Sequence, residues 1–281
     1  MILTELQKRI ATGIFGLVVM LACILWNQYS FGFLFLVISV LGLWEFYSNL
    51  EKGGYQPQKF LGTGLGAVIF IVNFFFAQSI SKCESIQLTW VLYIIPVSCV
   101  FFLVELYKKN ENPFTNISFT LSGIIYIAFP FGLLNYLVMF PNYLCTNFYH
   151  PEIFIGFLFL IWAGDVGAFF VGRKFGKHKL FERISPKKTW EGFFGGVALA
   201  MAVAAIISYY FTSISTIDWL VLSLIISVFG TLGDLVESHF KRGLGVKDSG
   251  NILPGHGGIL DRFDSLVLST PFVFSYMKLF T

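Results

Sequence analysis

The stretch EIFIGFLFLIWAGDVGAFFVG, Glu152 to Gly172, decides the fold. From Ile153 to Gly172 it runs twenty residues with one charge, Asp165. At a rise of about 1.5 Å per residue, such a helix covers the hydrocarbon of a bilayer, about 30 Å thick. No water is available there, so the backbone must satisfy its own hydrogen bonds, and a helix does so within one segment. Similar apolar windows recur along the chain. Together they predict nine transmembrane helices near 11–28, 30–47, 60–78, 88–106, 121–140, 152–172, 191–211, 217–236 and 260–279. The residues from Pro113 to Thr120 fit either a short surface helix or an extension of the fifth span. Pro130 should bend that span, because it lacks a backbone donor.

Composition agrees with this reading. The 281 residues are 56% hydrophobic and 12% charged, against roughly 25% charged in an ordinary soluble domain. A soluble globular enzyme is excluded, and the fold class is all-α, a polytopic integral membrane protein. The basic start at Lys8 and Arg9 followed by an apolar run resembles a secretion signal. No small-residue cleavage pattern follows, so the segment is read as a retained first span. Cys23, Cys83, Cys99 and Cys145 show neither metal-ligand nor disulfide spacing and read as isolated small apolar residues.

Charge sets the orientation. With the N-terminus in the cytoplasm, seventeen Lys and Arg fall on the cytoplasmic side, and only Lys82 and Lys278 lie opposite. The positive-inside rule then predicts N-in, C-out. The net charge of +3 gives no reason to expect a nucleic-acid partner. Residues 1–150 read as an N-terminal and middle transmembrane scaffold, with Glu45 as the acidic residue inside a span, either buried and paired or part of a site. Residues 151–281 read as the catalytic region, with cytoplasmic loops at 173–190 and 237–259 that hold ten of the nineteen basic residues.

Six carboxylates lie in or beside spans near the cytoplasmic boundary: Asp165, Glu191, Asp234, Glu237, Asp261 and Asp264. Acids at membrane depth are expensive and mark cavities or sites. Asp234 and Glu237 share one helix face, as do Asp261 and Asp264. Carboxylates without His or Cys suit a hard ion such as Mg²⁺. Neutralisation of nearby Lys and Arg explains the acids alone equally well. The loop SHFKRGLGVKDSGNILPGHGGILDRFD, Ser238 to Asp264, adds Lys241, Arg242, Lys247, Asp248 and Arg262 among glycines. Cations with a Gly-rich backbone describe a polyphosphate site. Ser185, Lys187, Lys188 and Thr189 precede Glu191 at a helix N-terminus, a second place for phosphate. His256, beside Gly257 and Gly258, could be a base, a phosphate donor or a helix-cap residue. A phosphate-monoester nucleophile, already ionised at pH 7, does not need a base.

These residues carry a family resemblance. Ser238, Lys241, Arg242, Lys247, Asp248, Pro254, His256, Gly257, Gly258, Asp261, Arg262 and Asp264 resemble the signature of the phosphatidate cytidylyltransferases, also called CDP-diacylglycerol synthases. Trp162 through Gly192, with Asp165, Gly172, Gly176, Lys177, Ser185, Pro186, Lys187, Lys188, Thr189 and Glu191, is similar to a second shared region of that family. Val166 departs from it, since the family usually has Thr or Ser after the acid at Asp165. The resemblance covers the C-terminal 120 residues well and the remainder only by its hydrophobic spans. It implies an enzyme that joins CTP and phosphatidate into CDP-diacylglycerol and pyrophosphate. It also implies Mg²⁺, a second, monovalent cation such as K⁺, and a homodimer. On this reading Asp234, Asp261 and Asp264 hold the metal, while Lys241, Arg242 and Lys247 neutralise the triphosphate or the leaving group. Ser185, Lys187 and Lys188 take the lipid phosphate or the other end of the nucleotide. With no eukaryotic targeting feature in the chain, a bacterial cytoplasmic membrane is expected. A cation-coupled transporter is disfavoured because the acids gather at one face instead of the midplane. A CTP-using polyprenol kinase would differ in its products, CDP and a phospholipid.

Overall fold

The structure, a computed structural model, describes residues 5–82, 94–108, 112–139, 149–246, 249–250 and 257–280. Its helices are α1 (Glu5–Trp26), α2 (Gln28–Lys52), α3 (Lys59–Ser81), α4 (Ile94–Leu106), α5 (Pro113–Gly123) and α6 (Phe129–Val138), followed by α7 (Pro151–Phe175), α8 (Trp190–Tyr210), α9 (Thr216–Gly243) and α10 (Leu260–Phe280). Among the described residues, six runs are long and apolar enough to cross a membrane: α2, α3, the run Pro113–Val138, α7, α8 and α9. Helices also stand in the other three expected spans, of which residues 88–93 in the fourth lie outside the described residues. The apolar part of α1 is confined to Thr12–Trp26, and the described α4 is short. Asp261, Arg262 and Asp264 charge the first turns of α10.

Pro113–Thr120 extends the fifth span. α5 passes into α6 through a π-helical turn, Ile124–Ala128, in which the Phe129 N–H reaches back five residues to the Ile124 carbonyl. Pro130 follows directly, and the slip in register before it accommodates the donor that proline lacks.

Two expected loops are structured. α9 continues to Gly243, so Glu237, Ser238, Lys241 and Arg242 are helical. The apolar window ends earlier, but the Glu237–Lys241 pair at i,i+4 and basic residues in the last turn carry the helix further. In the 173–190 loop, β1 (Lys179–Phe181) pairs antiparallel with β2 (Ser185–Thr189), Lys179 opposite Thr189 and Phe181 opposite Ser185.

The chain divides into two compact units, and Ser249–Ile259 groups with the first. That unit contains Met1–Asn135 and Met139–Tyr149 besides. Its interior is built on α2, where Phe31, Phe35, Leu43, Tyr47 and Leu50 are fully buried. The Tyr47 hydroxyl donates to the Thr120 carbonyl at 2.7 Å. Glu45 is buried and paired. Its carboxylate accepts hydrogen bonds from the Ser249 hydroxyl and, at 2.8 Å, from the Ile259 N–H, while Asn49 Nδ2 donates to the Ser249 carbonyl at 2.5 Å. Glu45 is not the sole acid inside a helix of this half. Glu105 of α4 is equally buried and accepts from Gln58 Nε2 at 2.7 Å and Asn116 Nδ2 at 3.2 Å. Gln58 and Asn116 are uncharged amides of other segments, and nothing in the sequence beside Glu105 announces them.

The second unit holds Tyr136–Val138, His150–Asp248 and Leu260–Thr281. Its closest crossing joins α7 and α8. A Cβ placed on Gly167 would stand 2.6 Å from the Gly195 carbonyl oxygen, and one on Gly196 would stand 2.7 Å from that of Gly164. Without side chains at these positions the two backbones touch, as at other small-residue helix interfaces in membranes. α9 approaches α10 in the same manner at Gly233, whose Cβ would meet the Asp264 carbonyl oxygen at 2.5 Å. Gly167→Leu is therefore expected to cost about 3 kcal/mol or more by overpacking. Gly164→Ala, whose Cβ meets nothing within 4 Å, should be tolerated. Thermal unfolding of both variants in detergent checks the contrast, and equal stability of the two would refute the close crossing.

Candidate active site

Two groups of charged side chains in the second unit involve the hairpin and the C-terminal part of α9. In the first, Lys188 of β2 places Nζ 2.6 Å from Asp234 Oδ2 on α9 and 3.4 Å from the Thr231 carbonyl. The Ser238 hydroxyl, one turn along α9, donates to Asp234 Oδ1 at 3.2 Å. Asp165 on α7 and Asp264 on α10 both lie within the electrostatic reach of Lys188 and Asp234. Four separate elements thus contribute, α9 with both Asp234 and Ser238 and the others with one side chain each. The Gly233 crossing holds two of these helices, α9 and α10, at close range.

In the second group, Lys241 Nζ lies 2.6 Å from both Glu237 Oε2 and Asp261 Oδ1. Glu237 is only 2% exposed, and a buried carboxylate needs such a partner. The structure therefore gives Asp261 an ammonium neighbour and brings Asp165, Asp234 and Asp264 around Lys188. Among the described residues, no three His, Cys, Asp or Glu side chains converge as a ready metal-ligand set.

The hairpin is anchored by its own chemistry. Thr189 caps α8, its hydroxyl accepting from the Gly192 N–H at 3.2 Å. The Glu191 carboxylate accepts from the backbone N–H of Lys177 at 3.1 Å and of His178 at 3.2 Å, and contacts His178 Nδ1 at 2.6 Å. Glu191 thus fastens the turn after α7, while the exposed side chain of Lys187 stands beside Lys188 on β2.

Between α7, α8 and α9 lies a cavity of about 470 Å³, within the range of roughly 300–1,000 Å³ typical of small-ligand pockets. Arg173, Lys187, Lys188, Asp165 and Asp234 line one end of it, and Leu160, Val197 and Ile226 line the other. Lysines that orient the protein in a membrane have no need of such a cavity. A ligand with an anionic head and an apolar body does.

The other expected site residues are placed as follows. Ser185 pairs with Phe181 in the hairpin, and Arg242 and Arg262 are exposed. Gly257 and Gly258 belong to the first unit. Gly257 has φ +91°, a conformation that favours glycine, and a Cβ on Gly258 would collide with the Glu45 carboxylate. Lys247, Asp248, Pro254 and His256 lie outside the described residues. Ser227, on the cavity wall one turn from Thr231, was not singled out by sequence reasoning, and a lone serine in an apolar helix offers no signal that could have done so.

Fold and cavity together define an integral membrane protein with basic and acidic side chains at one end of an otherwise apolar cavity. The chain belongs to the cytidylyltransferase family, whose model it matches over residues 7–280. It is 35% identical to the phosphatidate cytidylyltransferase of Bacillus subtilis (strain 168), over 99% of this chain and 100% of the relative. Identity to the enzyme of that name from Haemophilus influenzae is 33%, over 98% and 99% of the two chains. A Staphylococcus epidermidis phosphatidate cytidylyltransferase is 40% identical over 67% of this chain and 69% of its own.

The Lys241 bridge makes a testable claim. Lys241→Met should destabilise the protein by about 3–5 kcal/mol, because it leaves a buried carboxylate without its cation. Adding Glu237→Leu should recover part of that loss. Unfolding of the single and double variants in detergent measures the coupling, and a double variant no more stable than the single one would refute it.

Proposed function

We propose that this chain transfers the cytidylyl group of CTP to phosphatidate, forming CDP-diacylglycerol and releasing pyrophosphate for phospholipid biosynthesis. The observation that carries this reading is the cavity with a cationic end and an apolar end, in a chain similar to phosphatidate cytidylyltransferases over nearly its full length. A phosphatidate oxygen attacks the α-phosphorus of CTP. A new P–O bond forms there, the bond to the β-phosphate bridging oxygen breaks, and pyrophosphate departs with the electron pair. A phosphate monoester is already largely ionised at pH 7, so positioning and charge neutralisation supply the catalysis.

Lys187 and Lys188 hold the lipid phosphate at the cavity mouth, and Lys241, Arg242 and Lys247 neutralise the triphosphate. The donor chemistry suits Mg²⁺. Asp165, Asp234 and Asp264 offer only carboxylate oxygens, and a sparse carboxylate set leaves coordination positions for phosphate and water. Asp234 and Asp264 would hold the ion with Asp261 or Asp165, where it would offset charge on the reacting phosphates. A monovalent cation such as K⁺ and a homodimeric state belong to the same reading. So does N-in, C-out orientation in a bacterial cytoplasmic membrane, where the basic end meets cytosolic CTP.

Pyrophosphate release by the detergent-purified protein tests the reaction, with CTP, phosphatidate and Mg²⁺ each omitted in turn. Release should require all three. Asp264→Asn should lower it by about 100-fold or more, as expected when a charge that organises the transition state is removed. Release without phosphatidate would overturn the lipid assignment, and an Asp264→Asn variant above half the wild-type rate would overturn the role of that carboxylate.

A further inference from the structure

Two features of the cavity wall are not explained by phosphate chemistry. Ser227 lines the cavity and is 8% exposed. Its hydroxyl has no hydrogen-bond partner among the described residues. This differs from Ser223 one turn earlier, which donates to the Leu220 carbonyl at 2.7 Å. A buried hydroxyl left unpaired costs free energy, so its retention in an otherwise apolar stretch calls for an acceptor that arrives with a ligand. The second feature is Gly164, also on the wall. Its Cβ position meets nothing within 4 Å, although glycine inside a helix is unfavourable by about 1 kcal/mol relative to alanine. Its own side-chain direction is open space, so the residue adds room to the cavity.

The spacing identifies the acceptor. Lys188 Nζ lies 3.4 Å from the Thr231 carbonyl, and Thr231 is one turn of α9 toward the charged end from Ser227. One turn is about 5.4 Å, comparable to the distance from the phosphate of a glycerophospholipid to its acyl ester carbonyls. Beyond Ser227 the wall is apolar, with Ile226, Val197 and Leu160. We propose that Ser227 donates a hydrogen bond to an acyl ester carbonyl of the lipid substrate, and so selects ester-linked phosphatidate over lipids whose chains are joined by ethers. Gly164 supplies room for the chain. The proposal rests on the phosphatidate reading of the site and assigns it a specificity-determining residue.

The test compares dioleoyl phosphatidate with its di-O-alkyl ether analogue in mixed micelles, with CTP and Mg²⁺, using the full-length protein. Wild type should favour the ester in kcat/KM by about fivefold to tenfold, the worth of one neutral hydrogen bond. Ser227→Ala should bring the ester down to the rate of the ether, with the loss in the KM for lipid and not for CTP. Ser227→Thr, which keeps the hydroxyl, should keep the preference. A wild-type enzyme that does not distinguish the two lipids would overturn the assignment. So would a Ser227→Ala variant that retains the preference, or one whose defect is in the KM for CTP. Failure of the wild type to use either lipid would instead overturn the phosphatidate reading itself.

Discussion

A carboxylate carried on a helix at membrane depth has no water to solvate it and must find a cation, a polar hydrogen or a ligand. Much of this structure follows from how its acids meet that demand. Asp234 takes Lys188 from the hairpin, Glu237 and Asp261 share Lys241, and Glu191 takes two backbone N–H groups from the turn after α7. Apart from Glu237 and Lys241, which share α9, these partners come from different elements, so their pairing also fixes where an element lies. The hairpin is fixed twice at its base, by Lys188 on β2 and by the Glu191 contacts just before β1.

Close backbone approach provides the frame for these pairings. At the α7–α8 crossing, glycines replace the side chains that would hold two helices about 8–10 Å apart. That crossing also holds β2, which runs directly into α8, beside α7, where Lys188 lies within electrostatic reach of Asp165. The same closeness leaves a cavity where the three helices diverge, charged near the hairpin and apolar farther in. Helix packing and the binding chemistry are therefore linked through the same few glycines.

The membrane class was legible because hydrophobic length is a strong, one-dimensional signal. The signature from Ser238 to Asp264 was legible for a different reason, since its polar residues stand out against an apolar chain. Partner choice was not legible. Asp234 and Glu237 share a helix face, yet their cations come from a strand more than forty residues earlier in the chain and from the next turn of the same helix. The end of α9 was misread because an amphipathic helix can continue past its apolar window, and the hairpin because strands of three and five residues leave little periodicity. Glu105 was overlooked, and its amide partners Gln58 and Asn116 lie outside its own helix and carry no charge. Ser227 gave no signal at all, because an unsatisfied hydroxyl is a property of three-dimensional surroundings.

Glu45 has a consequence for how the gene can change. One carboxylate on α2 accepts from Ser249 and from Ile259, and so binds both ends of an eleven-residue segment within the signature, more than two hundred positions away in the chain. The N-terminal half, which looks from its sequence like an interchangeable bundle of apolar helices, is therefore tied to the most specific part of the chain. Recombination between related genes that joins the front of one to the back of another succeeds only where the grip at position 45 and the segment it holds are inherited as a matched pair.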